Sequence, residues 1–229
     1  MLAGILAFAQ NPTVINDPNA QKRSVGDFHG IRVGGGIQLY LSQGGEEAVA
    51  VSSNDREYRD RIVTEVKDGI LHIYLDDKFH WNWGGRNLKL RAYVSCKQLD
   101  QLRAAGGAGI DVDQTITSTK LEVHIAGGGH VRGKFQAGEM TVGISGGGDS
   151  HLSGTAGRLA VSVSGGGDFQ GYELAADNCE AKVRGGGDIY VTVNTTLSAS
   201  VSGGGNVRYK GNGTVSESRT VGGGNITRG

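Results

Sequence analysis

Along the second half of the chain, apolar and polar residues alternate one by one, and the alternation restarts about every nineteen residues. Each stretch ends in a cluster of glycines. Six places before that cluster stand Leu121, Met140, Leu159, Cys179 and Leu197. Four places before it stand Val123, Val142, Val161, Ala181 and Ala199, and two places before it Ile125, Ile144, Val163, Val183 and Val201. The residues between are mostly polar or small, as in His124, Gly143, Ser162, Lys182 and Ser200. A period of two is that of a strand with one buried face. A second strand follows the glycines. Its first inward column reads Val131, Ser150, Phe169, Ile189, Val207 and Ile226, with Ser150 the polar exception, and the next column, Gly133, Leu152, Gly171, Val191 and Tyr209, is looser.

The glycine clusters fall at 127–129, 146–148, 165–167, 185–187, 203–205 and 222–224, with a weaker copy at 106–109. The steps between their first members are 21, 19, 19, 20, 18 and 19 residues. A period near twenty with so little drift predicts a stacked array in which like side chains sit on like, coil upon coil. A helical reading fails, because three glycines per repeat would cost roughly 1 kcal/mol each in a helix. As corners they serve well, since glycine takes positive φ cheaply and lets backbones approach closely. Each coil is expected to run strand, glycine corner, strand, turn. Seven coils about 4.8 Å apart would make a rod roughly 30 Å long. The fold class is therefore all-β, a parallel β-helix or β-solenoid over 106–229.

The first half is also β, but less regular. Phe28, Ile31, Val33, Ile37, Leu39 and Leu41 predict strands around the glycines at 34–36, and Val49 and Val51 another before a charged turn at 54–60. Ile62, Val63 and Val66 lead to Asp68-Gly69 and then to Leu71, Ile73 and Leu75, a hairpin signal. Leu88, Leu90, Ala92 and Val94 form a further strand, and Leu99 and Leu102 lead into the weak first repeat. Residues 24–105 either cap the solenoid, whose open end would expose strand edges and apolar core, or are its degenerate early coils. Residues 1–9 read MLAGILAFA, an apolar stretch ending like a signal-peptidase site without a basic start. They are expected to be a truncated export signal, followed by a polar leader over 10–23.

Composition narrows the function classes. The chain has 229 residues, 41 of them glycine and 2 proline, so turn-rich regular β-structure fits better than collagen or disorder. The net charge is +0, which gives nucleic acid no electrostatic handle. No apolar run reaches the length of a membrane-spanning helix. The two cysteines, Cys96 and Cys179, lack metal-ligand spacing, and Cys179 falls in an inward column as a small hydrophobe.

Two constellations carry candidate chemistry. Three places after each first glycine stand His130, Asp149, Asp168, Asp188, Asn206 and Asn225. Asp149, Asp168 and Asp188 would stack at the intercoil spacing and could hold Ca²⁺, which prefers oxygen ligands. The bland alternative, and the favoured one, is that Asp and Asn cap backbone N–H groups at a corner; no other cofactor is expected. The Ca²⁺-binding nonapeptide spacing is absent. The second constellation is the loop containing His80, Trp81, Trp83 and Arg86, which holds both tryptophans of the protein. It is a candidate platform for sugar stacking or protein contact, against a structural reading in which the indoles cover the solenoid end. An enzyme of the polysaccharide lyase or hydrolase type needs a base beside the acids, and the outward columns offer Lys182 and Arg184 in one coil only. No nucleophile-elbow, zincin or phosphate-loop motif is present, so no catalytic residue is assigned.

The segment Phe28-His29-Gly30-Ile31-Arg32-Val33, the Val-x-Asp-Gly-x-Leu-x-Ile pattern from Val66 to Ile73, and the closing Gly-Gly-Gly-Asn-Ile that ends at Ile226 resemble the GIN-domain family of auto-transporter adhesin heads. The resemblance covers residues 24–229. It implies a right-handed β-helix, export from a Gram-negative cell to the periplasm, outer surface or medium, and no catalytic residues. No membrane barrel follows Gly229, so self-export is not expected. The expected function is a non-catalytic envelope module binding a glycan or another protein, with a carbohydrate-active enzyme or a structural protein oligomerising through the solenoid end as alternatives.

Overall fold

The computed structural model describes residues 17–76 and 87–229. In the first half it has β1 (Gln21–Arg23), β2 (Gly30–Val33), β3 (Gln38–Gln43), β4 (Ala48–Ser53), a short helix α1 (Arg56–Asp60), β5 (Ile62–Lys67), β6 (Ile70–Leu75), β7 (Leu90–Cys96), β8 (Gln101–Ala104) and β9 (Gly109–Val112). The array proper follows as β10 (Ile116–Gly127), β11 (His130–Gly146), β12 (Asp149–Gly165), β13 (Asp168–Gly185), β14 (Ile189–Gly203), β15 (Asn206–Lys210), β16 (Thr214–Gly222) and β17 (Asn225–Arg228).

The chain is a β-solenoid of about 7 turns, about 19 residues apart. From β10 onward every rung pairs in parallel with the one before it. Leu121 lies beside Met140, Met140 beside Leu159, Leu159 beside Cys179 and Cys179 beside Leu197. The glycines pair the same way, Gly127 with Gly146, then Gly165, Gly185, Gly203 and Gly222. The inward columns from residue 121 to 201 are buried except at Gly133, and Phe135 and Phe169 are among the largest side chains wholly enclosed. At each corner the ladder continues, for Gly166 N–H donates to the Gly146 carbonyl at 2.9 Å and Gly186 N–H to that of Gly165 at 2.8 Å.

The expected second turn of each coil is instead a bend inside a continuous strand. The alternation slips where two successive residues face outward, at 138–139, 157–158 and 177–178. Strands of 17 and 18 residues therefore wrap around the core without leaving their ladders. A bend inside the strand keeps most backbone groups paired with the next rung, apart from register shifts at 151–153 and 171–178, so no separate polar loop is needed.

The first half stacks on the same ladders, but out of chain order. Ile31 of β2 pairs with Leu71 of β6 on one side and with Leu102 of β8 on the other. Leu39 of β3 likewise lies between Ala92 of β7 and Ile110 of β9. The rungs thus run β6/β7, β2/β3, β8/β9, and then into the array. Antiparallel strands finish this end: β4 pairs with β7, β1 with β4, and β5 with β6. The Asp68-Gly69 hairpin is present, with φ of 51° and 74°. Two local features differ from the sequence expectation. The charged turn at 54–60 contains α1, whose Asp55 side chain accepts from the Glu57 N–H at 3.0 Å. The end of the polar leader, Gln21–Arg23, is strand β1, anchored by Asp17, which accepts a hydrogen bond from Tyr93 at 2.9 Å.

Candidate functional site

The inward columns are consumed by packing, so any binding function sits on the outer faces, whose side chains the same two-residue period selects. The predicted acidic column does line up. His130 pairs with Asp149, and Asp149 with Asp168. Each carboxylate accepts from the next rung: Asp168 N–H donates to Asp149 Oδ1 at 3.1 Å, Asp188 N–H to Asp168 Oδ1 at 2.8 Å, and Asn206 N–H to Asp188 Oδ1 at 2.8 Å. One oxygen of each aspartate is thus used in closing the corner. Among the described residues, no group of three or more His, Cys, Asp or Glu side chains gathers in a way that would hold a metal ion.

Residues His80, Trp81, Trp83 and Arg86 lie outside the described residues. The elements on either side of them, β6 and β7, form the outermost rung of the stack.

An aromatic and cationic cluster that sequence reasoning missed lies beyond the acidic column. Tyr190 donates to Asp188 Oδ2 at 3.2 Å and meets Tyr172 edge-on at 5.3 Å between ring centroids. Arg208 lies over the Tyr190 ring and donates to its hydroxyl at 2.9 Å, while Lys210 lies over the Tyr172 ring at 4.2 Å. Burial and the bond to Asp188 push the Tyr190 hydroxyl's pKa upward. The signal for Tyr190 was present, since it follows the inward Ile189 and so faces out. Tyr172 was not legible, because the register of β13 against β14 slips between Gly171 and Ala175.

On the outer face of the strands that precede the glycine corners the array presents hydroxyls. Ser162 lies between Gly143 and Lys182, and Lys182 is followed by Ser200, while one step toward the corner Ser145 and Ser164 are followed by Arg184 and Ser202. Lys182 is held by Glu180 of its own strand. The cysteines play no part in this surface. Cys96 and Cys179 are both free and buried, and burial pushes each thiol up to about 12.

A sequence profile of the family described as "Putative auto-transporter adhesin, head GIN domain" matches residues 27–213. The chain belongs to this family. Solved structures agree with the GIN-domain fold. A "putative adhesin" from Bacteroides fragilis NCTC 9343 superposes with a TM-score of 0.81 at 23% identity, over 91% of this chain and 95% of that one. A "putative adhesin" from Parabacteroides distasonis ATCC 8503 gives 0.72 at 25% identity over 92% and 96%. A "putative lipid binding protein" from the same organism gives 0.72 at 20% identity over 94% and 98%. Comparison with curated proteins found no match. This GIN-domain protein is thus an adhesin-like protein by family. Among the described residues, no helix is long and apolar enough to cross a membrane.

Proposed function

We propose that the protein is an exported, non-catalytic surface module that binds a glycan through the outer faces of its solenoid. The observation that carries this reading is the in-register set of hydroxyl and glycine positions, Gly143, Ser145, Ser162, Ser164, Ser200 and Ser202, interrupted on one rung by Lys182 and Arg184, with rungs about 4.8 Å apart. A periodic polar surface suits a periodic polymer, because several weak contacts act together. The family's adhesin character supports both binding and export. The non-catalytic part is supported by the acidic column, whose aspartates each give an oxygen to a backbone N–H of the next rung. The loop with His80, Trp81, Trp83 and Arg86 remains the candidate for a second contact. Ca²⁺ along Asp149, Asp168 and Asp188 remains a separate proposal, carried by the second oxygens of Asp149 and Asp168, since Asp188 Oδ2 already accepts from Tyr190.

The test is retention on a panel of immobilised polysaccharides, with Ca²⁺ or with chelator, while released reducing or unsaturated ends are assayed in the same samples. Retention without product is expected. Loss of retention with chelator would assign Ca²⁺ a role in binding, and product would replace this reading with an enzyme. No retention on any member would shift the partner to a protein of the envelope.

A further inference from the structure

Two arginines leave one region of the outer surface with unpaired positive charge, while burial and the nearby Arg103 hold the pKa of His124 beside them down. The parallel register places His72 of β6, Arg32 of β2, Arg103 of β8 and His124 of β10 at the same position on four successive rungs. Their strand neighbours Ile31, Val33, Leu102, Ala104, Val123 and Ile125 are buried, so alternation turns this column outward. Two guanidinium groups on adjacent rungs repel each other, and like charges set side by side across strands destabilise a sheet. Among the described residues neither arginine has an acidic partner or a hydrogen bond, and Arg103 Nε is buried with none. Two acids neighbour the column: Glu122, 3.9 Å from His124 Nε2, is shared with Lys120 at 3.4 Å, and Glu65, paired with His72, accepts from Lys67 and Tyr74. Guanidinium donors held side by side without partners are donors that an anion would satisfy.

The column also borders a groove of about 430 Å³, lined by Arg32, Arg103 and His124 at one end and by Gly143, Ser145 and Ser162 farther along. That volume lies in the range of small-ligand sites. Gly143 keeps the floor open: a Cβ there would stand 3.0 Å from His124 Nδ1. The cationic end and the hydroxyl floor call for two different chemistries in one ligand. A guanidinium fork matches the paired oxygens of a carboxylate or sulfate, and serine hydroxyls match the hydroxyls of a sugar ring. A lipid headgroup could meet the arginines, but the groove offers its tails only the small methyls of half-buried Ala105 and Ala126 beside glycine and serine, since Ile125 and Ile144 are buried.

We propose that Arg32, Arg103 and His124 form an anion subsite for an acidic glycan, whose carboxylate or sulfate lies against the two arginines while its sugar ring lies over Gly143, Ser145 and Ser162. This rests on the glycan-binding reading and names the class of glycan.

The experiment measures retention of the full chain on two matched pairs, polygalacturonate against its methyl ester and dextran sulfate against dextran. Vesicles of phosphatidylglycerol form a third arm. Arg32→Gln and Arg103→Gln are compared with Lys134→Gln, which removes one exposed charge elsewhere, and thermal melting confirms that each variant folds. At least one acidic polymer is expected to be retained over its neutral partner. Affinity should fall about tenfold or more in each arginine variant and stay unchanged in Lys134→Gln. Equal retention of acidic and neutral members overturns the subsite and leaves the glycan-binding reading standing. An equal loss in Lys134→Gln also overturns it, since the attraction is then general. Arginine-dependent capture by the vesicles alone assigns the site to a lipid headgroup and rejects the proposal. Failure to retain any polymer rejects the glycan-binding reading and the subsite with it.

Discussion

At one end of the stack β6 and β7 carry antiparallel strands, β5 and β4, on their outer edges; at the other, β16 and β17 carry none among the described residues. The two halves differ in connectivity as well. In the array each rung rests on the rung just before it in sequence, whereas β2 closes ladders with residues 70–73 and 101–104, far along the chain. Contacts between neighbouring repeats behave as a sum of like terms, so an array can open from its uncovered end. The first half must close longer loops before any ladder forms, and its strands then hold one another from both sides. β16 is exposed along its whole length, and Val221 is 56% exposed, in contrast to the enclosed Val49 and Val51 of β4. The terminal rung is thus the most exposed part of the described array.

The largest expected effect separates the corners of the two regions. A Cβ on Gly167 would run into the carbonyl oxygen of Gly148 on the rung below, whose carbonyl carbon and backbone nitrogen, each 3.0 Å away, leave little room to adjust. Gly167→Ala should cost about 3 kcal/mol in urea denaturation. Gly36, at the corner of β2 and β3, has φ of 70° but nothing within 4 Å of its Cβ position. Gly36→Ala should therefore cost only the conformational term, roughly 1–2 kcal/mol. Gly166→Ala, in the array with open space and ordinary φ, should stay within about 0.5 kcal/mol of wild type. Equal costs at the three sites would mean that close rung packing does not distinguish the regions.

The two buried thiols report on the regions separately, Cys96 from β7 and Cys179 from β13. With both pKa values near 12 in the folded protein, alkylation at pH 8 requires opening. If the array frays from its uncovered end, Cys179 should label about tenfold faster than Cys96 below the unfolding midpoint, a difference of roughly 1.4 kcal/mol in opening. Identical rates would show that the whole solenoid opens as one unit.

Smaller effects of opposite sign are expected inside the array. Ser150 is buried with its Oγ unpartnered among valine, leucine and phenylalanine neighbours of its columns. Ser150→Ala should raise stability by about 1 kcal/mol, because an unmet hydroxyl is removed from the core. Asp168→Ala should lower it by about 1 kcal/mol, because the Asp188 N–H loses its acceptor. Asp168→Asn should restore most of that loss, since an amide oxygen still accepts. If Asp168→Asn instead loses as much as Asp168→Ala, the charge matters, and the Ca²⁺ proposal for the column gains weight.

Most of the array was legible because it repeats. Leu121, Met140, Leu159, Cys179 and Leu197 occupy one column in the sequence and one ladder in space, since a fixed period leaves a single register that stacks every apolar residue inward. The hairpin at Asp68-Gly69 was legible for a local reason, as both residues tolerate positive φ. The acidic column was legible as an alignment, whereas the use of its oxygens required coordinates.

The amino-acid sequence by itself determined the strand period, the glycine corners, the inward columns and the family. Those are set by local rules of alternation and backbone conformation, which act within one repeat. Only the tertiary structure decided that β2 and β3 sit between β6/β7 and β8/β9, which antiparallel strands finish the end, and that Arg32, Arg103 and His124 share one outer column. Those residues belong to rungs that are not consecutive in the chain. Their meeting depends on the order in which distant strands pair, and no period in the sequence records that order.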